Sequence, residues 1–113
     1  DTQDGTCIRD YVHVLDICQA HLDLLNYMVK GGKKRSFNIG TGTGHSILEI
    51  IEEVKRCTNK DFPIVYKEKR EGDPSKLVAD NRLIKDILSW SPKYSLSDII
   101  ESAWEWEKIL SKN

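Results

Sequence analysis

The sequence lacks a surplus of either charge, a long apolar run and any secretion signal. Its 17 basic and 18 acidic side chains leave a formal net charge of −1, so no overall field attracts nucleic acid or an anionic membrane. No apolar run approaches the roughly 18 residues that can span a bilayer, and no signal-peptide pattern is visible. We therefore expect neither a nucleic-acid partner nor a membrane.

Cysteine is scarce and irregularly placed. Cys7, Cys18 and Cys57 are odd in number and far apart, they form no C-x-x-C pair, and the three histidines add no metal-ligand spacing. Free thiols are typical of the reducing cytoplasm. The pattern predicts a cytoplasmic protein without a metal site.

The known catalytic signatures are also missing. No tyrosine is followed four residues later by lysine, and neither G-x-S-x-G nor H-E-x-x-H occurs. We expect no catalytic residue in these 113 residues. The opening "DTQDGT" has no methionine, which indicates an excerpt from a longer protein.

What is present is typical of one globular α/β domain at most. Apolar residues make up 39% and charged residues 31% of the chain. Helical spacing predicts helices over 14–29, from Ser46, after an N-cap at Asp80 and from Ser95, and two of them begin with a capping box. Extended patterns predict strands at 36–40, 63–69 and 76–79, besides one within 5–16. This order favours parallel pairing where a helix connects two strands, around a thin core.

The first helix carries a predicted apolar stripe that we expect to face the core. Asp16 in its first turn complements the helix dipole, and Gly31 and Gly32 end the helix. The stripe consists of Val14, Ile17, Cys18, His21, Leu24, Leu25 and Met28.

The stretch "NIGTGTGHS" (residues 38–46) has two interpretations. A glycine-rich turn before a helix can bind a phosphate through its backbone N–H groups. A dinucleotide fingerprint, however, requires glycine where His45 stands. The alternative is a tight turn that allows the helix to pack closely.

Two other stretches place charge where an anion could bind. Arg70 and Asp73 flank Gly72 in "KREGD", where a guanidinium group and a carboxylate could contact a phosphate and a sugar hydroxyl, although a solvated turn has the same composition. Arg9 interrupts the apolar run "GTCIRDYVHVLD". A buried arginine needs a partner, so either Asp10 and its neighbours satisfy it or it receives an anion.

Four segments, in order, resemble one enzyme family. They are "DGTCIRDYVHVLDICQAH", "FNIGTGTGHSILEII", "KREGDPSKLVAD" and "LSWSPKYSLSDIIESAWEWE". Together they are similar to the carboxyl-terminal third of UDP-glucose 4-epimerases, which are extended short-chain dehydrogenases/reductases. The resemblance covers nearly the whole chain, and "REGD" with "FNxGTGxGxS" is its most specific part.

The resemblance implies the substrate-binding part of an α/β protein with an extended Rossmann fold. Residues of about 36–58 would then be a strand–helix unit of the Rossmann sheet. The implied activity interconverts UDP-glucose and UDP-galactose at sugar C4, with NAD as the cofactor that takes and returns a hydride. The implied partners are the UDP-sugar and the NAD-binding part that precedes this region in the family.

The resemblance also implies roles for individual residues. Arg9 and Arg70 would contact the UDP diphosphate, and Asp73 would bind the ribose. Tyr11 would lie beside the nucleotide. Leu77 would lie near the sugar, where side-chain size influences acceptance of N-acetylated substrates, and leucine leaves that specificity open.

The departure from the family is that the Tyr-x-x-x-Lys pair and the glycine-rich NAD fingerprint are missing. We therefore expect this chain alone to be inactive and to bind no NAD. Two alternatives stay open: a related nucleotide-sugar epimerase or dehydratase, and a non-catalytic structural or interaction fragment. In the last case, an unpaired strand at 36–40 and uncovered helices predict self-association.

Overall fold

The computed structural model of the chain describes residues 2–113. It contains four helices and three very short strands, in agreement with the predicted α/β class. In order they are β1 (Ile8–Arg9), α1 (Val14–Val29), β2 (His45–Ser46), α2 (Ile47–Thr58), β3 (Lys76–Leu77), α3 (Arg82–Leu88) and α4 (Leu96–Ser111).

The three strands form one small mixed sheet with β1 in the centre. Strand β1 pairs antiparallel with β2, so that Arg9 lies opposite His45. It pairs parallel with β3, so that Arg9 lies opposite Leu77. The expected parallel pairing is thus present on one side only. The sheet aligns the segment that follows the "REGD" turn with the segment that carries Arg9.

The helix boundaries follow the local sequence signals closely. Helix α1 spans the predicted residues, and Gly31 takes a left-handed φ of +88° just after its end. Ser46 and Ser95 each accept a hydrogen bond from the backbone N–H three residues later, and the acidic side chain there bonds back to the cap. None of the helices within residues 2–113 is long and apolar enough to cross a membrane.

The helix after β3 begins one residue later than predicted. Its N-cap is Asn81, not Asp80, and Asn81 provides no side-chain cap. The amide of Asn81 instead donates to the carbonyl oxygen of Gly40 at 2.9 Å. Asp80 still accepts a hydrogen bond from the backbone N–H of Arg82 at 3.2 Å. It therefore bonds to the first residue of the helix, although it is not the N-cap.

Two strand predictions were wrong, and a third was too long. Residues 36–40 and 63–69 form no strand, and only Lys76–Leu77 of the predicted 76–79 is a strand. A strand requires a hydrogen-bonded neighbour, and neither 36–40 nor 63–69 has one. Phe37 and Ile39 nevertheless pack against the core.

Most of the predicted apolar stripe of α1 is exposed, and only Ile17 and Leu24 of its seven residues are partly buried. Within residues 2–113 the buried apolar side chains are Ala20, Ile84, Trp90 and Ile100. Helix α1 contributes Ala20 and the carboxylate of Asp16 to the buried side. The exposed apolar residues of α1 are Val14, Leu15, Leu22, Leu25, Met28 and Val29.

The chain is more open than a self-sufficient domain of its length. The Cα radius of gyration is 17.0 Å, against about 13 Å for a compact domain of this size. The accessible surface is 8608 Å², whereas a folded monomer of this mass exposes about 6,300 Å². The excess, about 2,300 Å², is of the size that a large protein–protein interface buries.

Candidate functional site

Arg9 lies on the central strand and forms a close ion pair with Asp73. Its Nη2 is 2.6 Å from Oδ1 of Asp73, and the two side chains are only 23% and 25% exposed. Its Nη1 donates to the carbonyl oxygen of Ile8 at 2.8 Å. The guanidinium group is therefore held at two ends, which fixes its direction.

Asp73 also brings Arg70 to the same place. Nη2 of Arg70 is 3.6 Å from Oδ2 of Asp73, although the side chain of Arg70 is 88% exposed. A turn from Arg70 to Asp73 positions the pair: the N–H of Asp73 donates to the carbonyl of Arg70 at 3.4 Å, and Gly72 between them has a φ of +78°. That left-handed conformation favours glycine. Three of the predicted site residues thus converge.

Leu77 and Tyr11 lie near this cluster but take no part in its ion pairs. Leu77 is the ladder partner of Arg9, and its side chain is 60% exposed. Tyr11 is partly buried two residues beyond Arg9. Burial raises the pKa of the Tyr11 hydroxyl, and the charge of Arg9 opposes this shift.

Two cavities meet at the Arg9–Asp73 ion pair. One, of about 660 Å³, is lined by Arg9, Asp10 and Leu77 and by residues 37–39. The other, of about 320 Å³, is lined by Arg70 and Asp73 and by residues 66–69. Tyr11 lines neither cavity. Of the predicted residues, Arg9 and Leu77 therefore line one cavity, and Arg70 and Asp73 line the other. The Arg9–Asp73 ion pair lies between the two cavities.

The glycine-rich turn is filled by a carboxylate of the chain itself. Asp10 accepts from the backbone N–H and hydroxyl of Thr41 at 2.9 and 2.7 Å, from Gly42 N–H at 3.0 Å and from Ala79 N–H at 3.3 Å. Burial disfavours its ionised form, but these hydrogen bonds outweigh burial and lower the pKa of Asp10. The turn therefore offers no free cradle for a phosphate.

The close-packing interpretation of the turn is the one the geometry favours. A Cβ added to Gly40 would lie 2.5 Å from the Cβ of Ala79 and 2.6 Å from Asp10 Oδ2, and one added to Gly44 would collide with Ile8 and Val78. Glycine allows the turn to approach β1 and β3. Asp10 thus serves this turn, and Arg9 is paired by Asp73 instead.

The remaining polar residues of the opening stretch are structural. His13 caps α1, because its Nδ1 accepts from the N–H of Leu15 at 3.0 Å. Its Nε2 lies 3.1 Å from the hydroxyl of Ser102 on α4. Asp16 accepts from the backbone N–H groups of Lys93 and Tyr94 at 3.0 and 3.2 Å. These contacts join α1 to the loop and helix at the end of the chain.

Sequence reasoning missed two cations at the smaller cavity. Lys67 and Lys69 line it beside Arg70, and the basic residues of "KEKR" were the available signal. Within residues 2–113, no group of three or more His, Cys, Asp or Glu side chains is placed to hold a metal ion. The smaller cavity is thus lined by three cations, Lys67, Lys69 and Arg70, and by two carboxylates, Glu68 and Asp73.

Comparison with known proteins gives a consistent result. The family described as GDP-mannose 4,6 dehydratase matches residues 2–103. A UDP-glucose 4-epimerase from Rhizobium leguminosarum bv. trifolii is 47% identical over 106 residues, which cover 94% of this chain and 32% of that protein. The chain therefore spans about a third of the length of the curated relatives it matches.

Solved structures agree with the observed fold. The UDP-glucose 4-epimerase from Stenotrophomonas maltophila, with bound NAD and formylated UDP-arabinopyranose, superposes with a TM-score of 0.95 at 34% identity, covering 98% of this chain and 33% of that one. The enzyme from Bifidobacterium longum, in complex with NAD+ and UDP, gives a TM-score of 0.87 at 30% identity over 96% of this chain and 32% of that one. The chain shares the fold of the corresponding third of these enzymes.

Proposed function

This chain belongs to the family described as GDP-mannose 4,6 dehydratase, and on that premise we propose that it is the UDP-sugar-binding part of a UDP-glucose 4-epimerase. The activity of the complete protein would interconvert UDP-glucose and UDP-galactose. This chain would hold the UDP end of the substrate through Arg9, Arg70 and Asp73. Tyr11 and Leu77 would border the nucleotide and the sugar.

The observation that carries the proposal is the convergence of Arg9 and Arg70 on Asp73. Two guanidinium groups that are distant in sequence pair with one carboxylate, although Arg9 lines one cavity and Arg70 the other, and a planar fork of donors suits a diphosphate. A hydrogen bond to a charged group contributes about 1.5–3 kcal/mol, so two arginines would supply about 3–6 kcal/mol before ordering costs. Firm binding at the diphosphate would leave the sugar free to turn within the site.

The residues of this chain do not fit the cofactor NAD. The turn that most resembles a dinucleotide cradle has its N–H groups of Thr41 and Gly42 bonded to Asp10. Related structures carry NAD, and we infer that the complete protein would bind it outside residues 1–113. The contribution of this chain would then be substrate binding only, and the chain alone would be inactive.

The open fold also supports a complete protein in which this chain binds the substrate and another part binds NAD. The excess surface and the exposed apolar residues of α1 indicate a face that another body covers. Residues 36–40 form an apolar segment without a ladder partner, as expected of a strand whose neighbours are elsewhere. We infer that the NAD-binding part covers this face and that residues of about 36–58 join its sheet.

The free cysteine thiols indicate the cellular compartment in which the complete protein would work. Cys7, Cys18 and Cys57 form no disulfide, and thiols persist in reducing compartments. We infer that the complete protein works in the cytoplasm.

Calorimetric titration with UDP tests the site. Arg9→Ala should weaken UDP binding at least about tenfold, since a half-buried charged contact of about 1.5–3 kcal/mol is lost. Arg70→Ala should weaken it a few-fold, because its side chain is largely in water. Arg82→Ala, which removes an exposed arginine paired with Asp80, is the matched control. Equal affinity in all four proteins would refute the arginine roles.

An activity assay tests the proposed division of labour. The chain with UDP-galactose and NAD should show no turnover, whereas a chimera that joins it to the amino-terminal two-thirds of the Rhizobium leguminosarum relative should interconvert the two UDP-sugars. Arg9→Ala in the chimera should raise KM. Turnover by the isolated chain would contradict the proposal.

A further inference from the structure

Both terminal nitrogens of the Arg9 guanidinium group are already engaged. Nη2 donates to Asp73 at 2.6 Å, and Nη1 donates to the carbonyl of Ile8 at 2.8 Å. A phosphate binds an arginine best through two parallel N–H bonds. A diphosphate that reaches Arg9 from the Asp73 side therefore meets a carboxylate in the position it needs.

The same carboxylate partly neutralises Arg70. Its second oxygen, Oδ2, lies 3.6 Å from Nη2 of Arg70 and 3.9 Å from the thiol of Cys7. One carboxylate thus stands between two guanidinium groups whose positions in the chain are 61 residues apart. Two cations and one anion leave a single net positive charge at the cluster. Asp73 holds the place that an anionic ligand would take.

We propose that Asp73 is a built-in competitor for the diphosphate, so that binding exchanges the Asp73 carboxylate for phosphate oxygens on Arg9 and Arg70. This inference rests on the proposed function. In the empty site Asp73 keeps Arg9 directed and limits repulsion between the two arginines. On binding, its carboxylate leaves Arg9 and becomes available to a ribose hydroxyl.

The exchange predicts a change in pyrophosphate affinity when Asp73 is replaced, whereas a role of Asp73 in ribose binding alone predicts no change. Inorganic pyrophosphate has no ribose, so it reports on the arginines without the sugar. If Asp73 competes for Arg9, removing its charge strengthens pyrophosphate binding. If Asp73 serves only the ribose, pyrophosphate affinity is unchanged. If Asp73 chiefly holds Arg9 in place, pyrophosphate affinity falls.

The experiment titrates pyrophosphate and UDP into the wild-type chain, Asp73→Asn and Asp61→Asn. Asp61 is the matched control, because its carboxylate is also paired with a cation, Lys55, at 3.2 Å. Asp73→Asn should bind pyrophosphate about three- to tenfold more tightly, and Asp61→Asn should bind it like the wild type. The gain for UDP should be smaller than for pyrophosphate, because the ribose contact is lost.

A second variant links the gain to Arg9. In the double variant Arg9→Ala/Asp73→Asn, the improvement in pyrophosphate affinity should disappear. Asp73→Ser repeats the test with a smaller side chain, and circular dichroism checks that each variant is folded. If the wild type binds no pyrophosphate, binding that appears in Asp73→Asn supports the exchange.

Unchanged or weaker pyrophosphate binding in both Asp73 variants would overturn the proposal, as would no binding in any protein. These outcomes differ from a failure of the proposed function. The proposed function fails if Arg9→Ala leaves the affinity for UDP unaltered. The exchange alone fails if Arg9→Ala weakens UDP binding but the Asp73 variants do not bind pyrophosphate more tightly.

Discussion

The carboxylate of Asp10 accepts both the backbone N–H and the hydroxyl of Thr41, at 2.9 and 2.7 Å. The two residues are 31 positions apart, and this contact fastens the glycine-rich turn to the strand that carries Arg9. Asp10 also reaches the N–H of Ala79, just after β3. A single side chain therefore sets the spacing of three segments around the candidate site.

Asp10→Asn should lower the free energy of unfolding by about 1–3 kcal/mol. Asparagine keeps one acceptor oxygen but directs an amide towards backbone N–H groups that need an acceptor. Urea unfolding followed by circular dichroism measures the change. Asp86→Asn, an exposed carboxylate on α3, should stay within about 0.5 kcal/mol of the wild type. A similar stability for both variants would contradict the bridging role of Asp10.

Glu53 should make the stability of the chain depend on pH. Its carboxylate pairs with Arg56 and accepts from the hydroxyl of Ser97 on α4 at 2.6 Å. Arg56 foremost, and Ser97 next, lower the pKa of Glu53 to about 2. Because the pKa of an unfolded glutamate is about 4.3, the stabilisation is complete above that pH and is lost as the pH falls towards about 2.

Glu53→Gln should therefore remove part of this pH dependence. The wild type should lose stability relative to the variant between about pH 4.3 and pH 2. Urea midpoints collected from neutral to acidic pH measure the difference. Glu52→Gln, at an exposed position on the same helix, should follow the wild-type curve. Parallel curves for wild type and Glu53→Gln would show that the pair does not stabilise the contact between α2 and α4.

Trp90→Phe should destabilise the core. Trp90 is 2% exposed, and its indole N–H donates to the carbonyl oxygen of Asp16 at 2.9 Å. Phenylalanine leaves that carbonyl without its partner and leaves space around the ring, which should cost about 2–4 kcal/mol. Thermal unfolding by circular dichroism measures the loss. Trp106→Phe, at a site 59% exposed, is the control and should change little.

The exposed face of α1 should make the isolated chain associate with itself. Leu25 and Val29 are 57% and 78% exposed, and contiguous apolar surface of this kind associates in water. Leu25→Lys with Val29→Lys should shift sedimentation velocity towards the monomer. Asn26→Lys adds charge at an exposed polar position of the same helix and should have little effect. A wild-type chain that stays monomeric at high concentration would refute the expectation.

The sequence alone sufficed for the helices. The capping boxes at Ser46 and Ser95 join groups only three residues apart, so the residues that begin those helices are sufficient to specify them. The same holds for Gly31, whose left-handed conformation follows the end of α1. The family resemblance, and with it the choice of Arg9, Arg70 and Asp73, was likewise readable from short motifs.

Sequence reasoning failed where an outcome depended on distant partners. The apolar pattern of 36–40 predicted a strand, but a strand forms only beside another, and this chain provides none there. The stripe on α1 was correctly recognised as apolar, yet the helix buries Asp16 and Ala20 instead. Periodicity shows that a face is apolar and does not show what covers it.

Local sequence therefore determined where the helices begin and end, because caps and turns are made by neighbouring residues. Tertiary structure decided which charges meet. The partner of Arg9 is Asp73, 64 residues away, and not the adjacent Asp10, because successive residues of an extended segment point to opposite sides. Parallel pairing of β1 with β3 brings the "REGD" turn to Arg9, and hydrogen bonds to the glycine-rich turn draw Asp10 to the other side.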